Sequence, residues 1–150
     1  DTMKILDSGR IGIAALGVGI ARGSMEESIQ YSNERKQFGT AIYENQAIKW
    51  KVVNMAVQTD AARLLVLRAA WLKDQGRPYT KEASMAKLFS SELATQAALD
   101  AIQIHGGYGY TKEYHVERFV RDAKLLEIGE GTSEVQRMVI GKLLQKEFIN

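Results

Sequence analysis

No cysteine occurs among the 150 residues. Disulfide frameworks, thiolate zinc sites, cysteine-ligated iron–sulfur clusters and cysteine nucleophiles are excluded, and a reducing compartment is expected. Proline is nearly absent: Pro78 stands alone, so helices can run long almost anywhere. Alternating β-branched runs are missing as well, which argues against strands. Charge of neither sign dominates, since 20 basic and 18 acidic residues leave a net +2, and charge alone calls for no nucleic-acid or membrane partner. The most apolar run, Ile11 to Ala21, is bracketed by Arg10 and Arg22, holds three glycines and is too short to span a bilayer. Neither a signal nor a transit segment is visible. The length is that of one domain. Helical sequence follows Asp1 directly, and the chain is expected to be a domain of a longer protein.

What is present is helical periodicity. Ile11, Ala14, Val18, Ala21, Met25 and Ile29 recur three and four apart, which predicts a helix from about Ser8 to Asn33. Gly12, Gly17, Gly19 and Gly23 inside it are either tolerated in a well-buried helix or mark close approach of a neighbouring backbone. A charged loop from Glu34 to Glu44 follows. In it Arg35 and Phe38 beside Gly39 would suit either a grip on a phosphate and a ring or a solvated turn with one anchoring aromatic. Ile48, Val52, Met55, Thr59, Ala62, Val66 and Ala69 then keep a seven-residue repeat, closed by Gly76 and Pro78. A third helix is predicted from near Thr80 to His105, with Met85, Leu88, Phe89, Leu93, Leu99 and Ile102 as its apolar face. A short amphipathic piece lies between Tyr114 and Asp122, and a last helix after Glu130 is expected to turn Val135, Met138, Val139 and Leu143 inward. The fold class that follows is all-α, an antiparallel four-helix bundle with one short additional helix.

Such a bundle can carry several chemistries, and residue identity removes most. A di-iron centre needs Glu-x-x-His pairs, but the positions three before His105 and His115 are Ile102 and Lys112. No metal is expected, and both histidines read as structural or surface groups. Gly17, Gly19 and Gly23 imitate a dinucleotide fingerprint, but no strand precedes them and Arg22 occupies the third glycine's place. Gly-x-Ser-x-Gly and Walker-type loops are absent. One stretch remains, Gly129-Glu130-Gly131-Thr132-Ser133-Glu134. Glycines on both sides of Glu130 allow a sharp turn that exposes the carboxylate. Thr132 and Ser133 are N-cap candidates, and Glu134 suits the positive end of a helix dipole. This is how a general base is mounted, although by spacing alone an ordinary loop carboxylate is the commoner outcome.

Six motifs together decide more. Asp7-Ser8-Gly9-Arg10, Glu34-Arg35-Lys36-Gln37-Phe38-Gly39, Gln46, Gln103-Ile104-His105-Gly106-Gly107-Tyr108-Gly109-Tyr110, Arg121-Asp122-Ala123-Lys124 and Glu130-Gly131-Thr132-Ser133-Glu134-Val135-Gln136-Arg137 resemble, in order and spacing, the C-terminal helical domain of acyl-CoA dehydrogenases. The likeness covers essentially residues 1–150 and is strongest to short-chain and bacterial members. It implies a full-length protein with an N-terminal helical domain and a middle β-domain in addition, assembled as a homotetramer or homodimer and using FAD. It further implies that Glu130 removes the α-proton of an acyl-CoA thioester, that a hydride leaves the β-carbon for the flavin, and that an electron-transferring flavoprotein accepts the electrons. Carried over by position, Arg35, Phe38 and Gln46 would hold the adenosine diphosphate part of FAD, with Gln103, Gly106 and Gly107 lining the cofactor from an adjacent subunit. Thr132, Ser133 and Glu134 would touch FAD near the base, and Asp7, Arg10 and Gly131 would contact the acyl-CoA. The expected location is the bacterial cytoplasm or the mitochondrial matrix, without secretion.

Two positions depart from relatives. Some carry the catalytic glutamate on the first helix, where this chain has Gly9, and many short- and medium-chain members have tyrosine where it has Gly129. The second difference removes an aromatic wall and predicts a bulkier acyl group. Two other readings are an acyl-CoA oxidase, which shares base and flavin, and a non-catalytic helical relative, which would be expected to lose the base.

Overall fold

The computed structural model describes the backbone of residues 2–149 and the side chains of residues 5–149. Five helices are present among them: α1 (Thr2–Glu34), α2 (Gln46–Asp74), α3 (Thr80–His105), α4 (Val116–Ile128) and α5 (Ser133–Ile149). Side-chain pairs give their directions. Lys51 with Asp100 and Arg68 with Glu82 make α2 antiparallel to α3. Thr80 with Asp7 and His105 with Tyr31 make α1 parallel to α3. Thr95 with Glu127, and Arg137 with Glu92, send both α4 and α5 back against α3. The architecture is therefore an up-down-up-down bundle whose fourth limb is broken into α4 and α5, and the break is residues 129–132.

Local chemistry sets the ends of these elements. Gly76 and Gly106 adopt φ of +64° and +62°, the left-handed backbone that closes α2 and α3. At the start of α5 the Thr132 hydroxyl accepts a hydrogen bond from the Val135 N–H at 3.3 Å, an N-cap. The α2 repeat behaves as expected, with Val52, Met55, Thr59, Ala62 and Ala69 buried. α1 begins before Ser8, and α4 runs on to Ile128 rather than ending near Asp122. The loop after α1 is a hairpin of two-residue strands, β1 (Lys36–Gln37) and β2 (Thr40–Ala41). Phe38 and Gly39 between them both have positive φ, as a tight type I′ turn requires.

α3 corrects the binary pattern. Of the expected face Leu93 is buried, but Phe89 and Leu99 are exposed, and most of what α3 buries is small: Ala83, Ala86, Ala94, Ala97, Ala98, Ala101, Ser84, Ser90 and Ser91. The cause is position: α3 packs against all four other helices, so its backbone must approach theirs closely. Gly17 shows how closely, since a Cβ there would lie 2.7 Å from the Ser90 carbonyl oxygen. Of the two explanations for the α1 glycines, close approach holds at Gly17, whereas Gly12 and Gly19 face open space. α5 needs a second correction. Met138 is 73% exposed and Val135 also faces outward, and the buried residues of α5 are Ser133 and Gln136. α5 rests mainly on α3, and one neighbour covers only a narrow stripe.

His105 is buried, donates from Nδ1 to the Ala101 carbonyl at 2.8 Å and stacks on Tyr31 at 4.2 Å. Burial lowers its pKa below the ordinary histidine value. His115 is exposed just before α4. Among the described residues no cluster could hold a metal ion, and no helix is long and apolar enough to cross a membrane.

Candidate functional site

The break in the fourth limb presents Glu130 with φ of +56°, a left-handed backbone unusual for a residue with a side chain, followed by Gly131 at +92°. Strain of this kind costs about 1–3 kcal/mol and persists only where surroundings enforce it. Here they do. Gly131 has no room for a Cβ, which would stand 2.9 Å from Gln136 Nε2. The Gln136 amide donates to the carbonyls of Glu130 at 3.1 Å and Gly131 at 3.0 Å. From α3, the Lys87 amine donates to the Gly131 carbonyl at 2.7 Å and to the Glu127 carbonyl at 3.2 Å.

The Glu130 side chain is exposed and lies against α1. A Cβ at Gly9 would stand 2.7 Å from Glu130 Oε2, so the absence of a side chain at Gly9 creates the seat for the carboxylate. On the same turn of α1, Asp7 and Arg10 form a buried ion pair at 2.8 Å, and Thr80 donates to the other Asp7 oxygen at 2.5 Å. Three buried polar atoms around the break have no partner: Arg10 Nε, Ser133 Oγ and Gln136 Oε1. Burial lowers the pKa of Lys87, with Arg10 acting in the same direction and Glu127 and Glu130 opposing. Burial would raise Glu127, but hydrogen bonds from Lys124 and Thr95 outweigh it and hold this carboxyl low. Glu134 is held low by its own backbone N–H and then by Thr132.

A second cluster lies at the other end of α1, about 37 Å of helix from Gly9. Tyr31, Arg35, Gln37, Gly106, Gly107 and Tyr108 are among the residues lining a cleft of about 480 Å³. The Arg35 guanidinium lies over the Tyr108 ring at 5.5 Å. Phe38, at the hairpin tip, is fully exposed, and Gln46 and Gln103 are exposed at the same end.

The residues that the motifs assign to base, substrate and cofactor fall at these two ends of α1, and comparison with known proteins gives the arrangement a family. The model of the acyl-CoA dehydrogenase C-terminal domain matches residues 1–145. The chain belongs to that family. A probable acyl-CoA dehydrogenase of Bacillus subtilis, YngJ, is 62% identical over 94% of this chain and 37% of its own length. The caffeyl-CoA reductase-Etf complex subunit CarC of Acetobacterium woodii is 50% identical over 98% of the chain and 39% of its own length. The solved structure of butyryl-CoA dehydrogenase from Megasphaera elsdenii superposes with a TM-score of 0.93 at 46% identity, over 95% of this chain and 37% of that one. The chain thus spans little more than a third of the length of these relatives.

Within this acyl-CoA dehydrogenase C-terminal domain, Asp7, Arg10, Glu130, Gly131, Thr132, Ser133 and Glu134 come together at the broken limb. Arg35, Gly106 and Gly107 share one cleft within a single chain, with Phe38, Gln46 and Gln103 near that end. Sequence reasoning passed over Lys87 and Gln136, because both are polar residues on helices and such residues are normally assigned to solvent. A signal existed for Lys87: Ala83, Ser84, Ser90, Ser91 and Ala94 place it on a face of small residues that only a close neighbour would cover.

Proposed function

We propose that this chain is the C-terminal domain of an FAD-dependent acyl-CoA dehydrogenase in which Glu130 takes the α-proton of an acyl-CoA thioester. The observation that carries this reading is the seat of Glu130: an exposed carboxylate on strained backbone, lodged against the side-chain-free surface of Gly9 and beside the buried Asp7–Arg10 pair. The residues present suit the cofactor, since unpartnered polar atoms at Arg10 and Ser133 lie close to the base and an open cleft beside Arg35 offers a cation and aromatic surface. FAD, when bound, supplies the acceptor for the hydride leaving the β-carbon, so that the trans-2-enoyl thioester remains.

The chain's own residues do the rest. Glu130 accepts the proton, and the product-side carboxylic acid then releases it to solvent. Its backbone N–H is the donor assigned to the thioester oxygen, where negative charge grows as the proton leaves. Covering the site would exclude water from the reacting atoms. Arg35, Phe38, Gln46, Gln103, Gly106 and Gly107 are assigned to the adenosine end of FAD. Because Arg35, Gly106 and Gly107 share a cleft, we assign them together to one copy of the cofactor, that of the adjacent subunit. An electron-transferring flavoprotein is the proposed acceptor, supported by the relative named as part of an Etf complex. Gly129 and the same relative's name favour an aryl-bearing acyl group. Faster turnover of 3-phenylpropionyl-CoA than of butyryl-CoA is expected, and equal rates would remove that preference.

Assembly has its own support. The outer face of α2 carries Trp50, Val53, Val57, Leu64, Leu67 and Trp71, each more than half exposed, with Asp60 at the midpoint. The order Trp, Val, Val, Asp, Leu, Leu, Trp has nearly the same chemistry read in either direction, as an antiparallel two-fold contact between two copies of α2 demands. A stripe about 31 Å long is too large for a solvated helix face. Leu64→Glu should dissociate the homotetramer by one two-fold step in sedimentation.

The direct test is Glu130→Gln in the full-length protein. FAD should be retained and turnover should fall by about 10²- to 10⁴-fold. Preserved turnover would show that another group takes the proton.

A further inference from the structure

The two largest fully buried side chains among the described residues are both polar, Lys87 and Gln136. They come from different helices, α3 and α5, and converge on one atom, the Gly131 carbonyl oxygen. Each also holds a second carbonyl of the same segment, Glu127 for Lys87 and Glu130 for Gln136. A buried amine with no carboxylate bonded to it is an expensive way to tie down backbone, and a neutral donor would serve if fixing the fold were the only requirement. What the pair fixes is the strained break between α4 and α5, two successive residues of positive φ that aim Glu130 at α1.

We propose that Lys87 and Gln136 are positioning residues for Glu130, a two-donor clamp on the Gly131 carbonyl that holds the base-bearing backbone left-handed and keeps a cation behind the carboxylate. The inference rests on Glu130 being the base. The charged groups facing Lys87 are Arg10 from α1, Glu127 from α4, Glu130 from the break and Glu134 from α5. Removing the amine leaves Arg10 as the remaining cation of this set, against three carboxylates. The clamp therefore has two separable effects. Its geometry governs how often Glu130 sits in register with the α-proton, which lowers kcat and leaves KM for the thioester nearly unchanged when lost, because Lys87 and Gln136 are sealed from the surface. Its charge sets where the acidic limb of kcat against pH falls.

The test uses the full-length, FAD-loaded enzyme with Lys87→Met, Gln136→Leu and Glu130→Gln in parallel, and butyryl-CoA and 3-phenylpropionyl-CoA as probes. Lys87→Met should lower kcat about 10- to 100-fold, as expected for a misplaced catalytic group, change KM less than threefold, and move the acidic limb to higher pH. Gln136→Leu should lower kcat in the same way while leaving the limb in place, since it removes no charge. In both, amide exchange of the peptide spanning residues 129–133 should accelerate while the α1 and α2 peptides stay protected. Should Lys87→Met fail to fold, Gln136→Leu decides the geometric half of the clamp and Lys87→Gln the charge half. Folded, flavin-bearing variants with kcat within threefold of the parent and unaltered exchange at 129–133 would overturn the proposal. If Glu130→Gln keeps its turnover, the base assignment fails instead, and the exchange data alone then show whether the clamp exists.

Discussion

The two ends of α1 are built on opposite principles. At the Gly9 end, Glu130 lies on a helix surface that lacks a side chain, and the surrounding polar groups, Asp7, Arg10, Thr80, Lys87 and Gln136, are tied to one another or to the Glu130 loop. At the Arg35 end, Phe38 is fully exposed, Gln46 and Gln103 are exposed, and Arg35 lies over the Tyr108 ring beside Tyr31. The first end is tied together by contacts within one chain. The second leaves its side chains open to solvent. On the function proposed above, a reaction centre gains from atoms that are already fixed, whereas a site shared between subunits would be finished only on assembly.

That contrast orders the expected effects of substitution. Arg10→Ala leaves Asp7 buried without its cation and should cost about 3–5 kcal/mol, read as a lower urea midpoint of the isolated domain. An unchanged midpoint would mean that the Gly9 end is not interlocked. Gly17→Ala places a Cβ 2.7 Å from the Ser90 backbone and has to push α1 from α3. About 1–3 kcal/mol of destabilisation is expected. Acid should act next. His105 is buried with its pKa lowered, so the unfolded chain binds the extra proton first. Its contribution to stability is complete above the ordinary histidine pKa of about 6.5 and is lost as pH falls from there toward the lowered folded value. His105→Gln should flatten that part of the stability–pH curve, and an unaltered slope would exclude His105 as its source. Smallest of all is Phe38→Asn at the hairpin tip. It should leave the domain equally stable or raise stability by up to about 1 kcal/mol, since asparagine accepts positive φ more readily. In the full-length assembly the same change should weaken FAD retention, which separates a residue kept for binding from one kept for folding. The 150 residues alone should fold yet bind FAD weakly and turn over no thioester.

Much of this was legible in the residues, and the failures share one physical cause. The α2 repeat reads correctly because its buried side chains, Val52 and Met55 among them, are those that counting large apolar residues finds. The ends at Gly76 and Gly106 read correctly because left-handed backbone favours glycine. α3 reads incorrectly because the helix nearest the centre is filled with alanine and serine, and size is then a poor guide to depth. α5 fails in the opposite sense: Met138 is large and exposed because only a narrow stripe of that helix has a neighbour. At the site, the motif order locates Glu130 and its companions. Lys87 and Gln136 escape because their partners are backbone carbonyls, which every residue possesses and no side-chain pattern announces.

As Glu130 lies, the surface at Gly9 seats one carboxylate, and any side chain mounted on α1 at this position would have to swing the far end of Glu130 aside. A glycine at position 9 leaves the berth to the loop after α4.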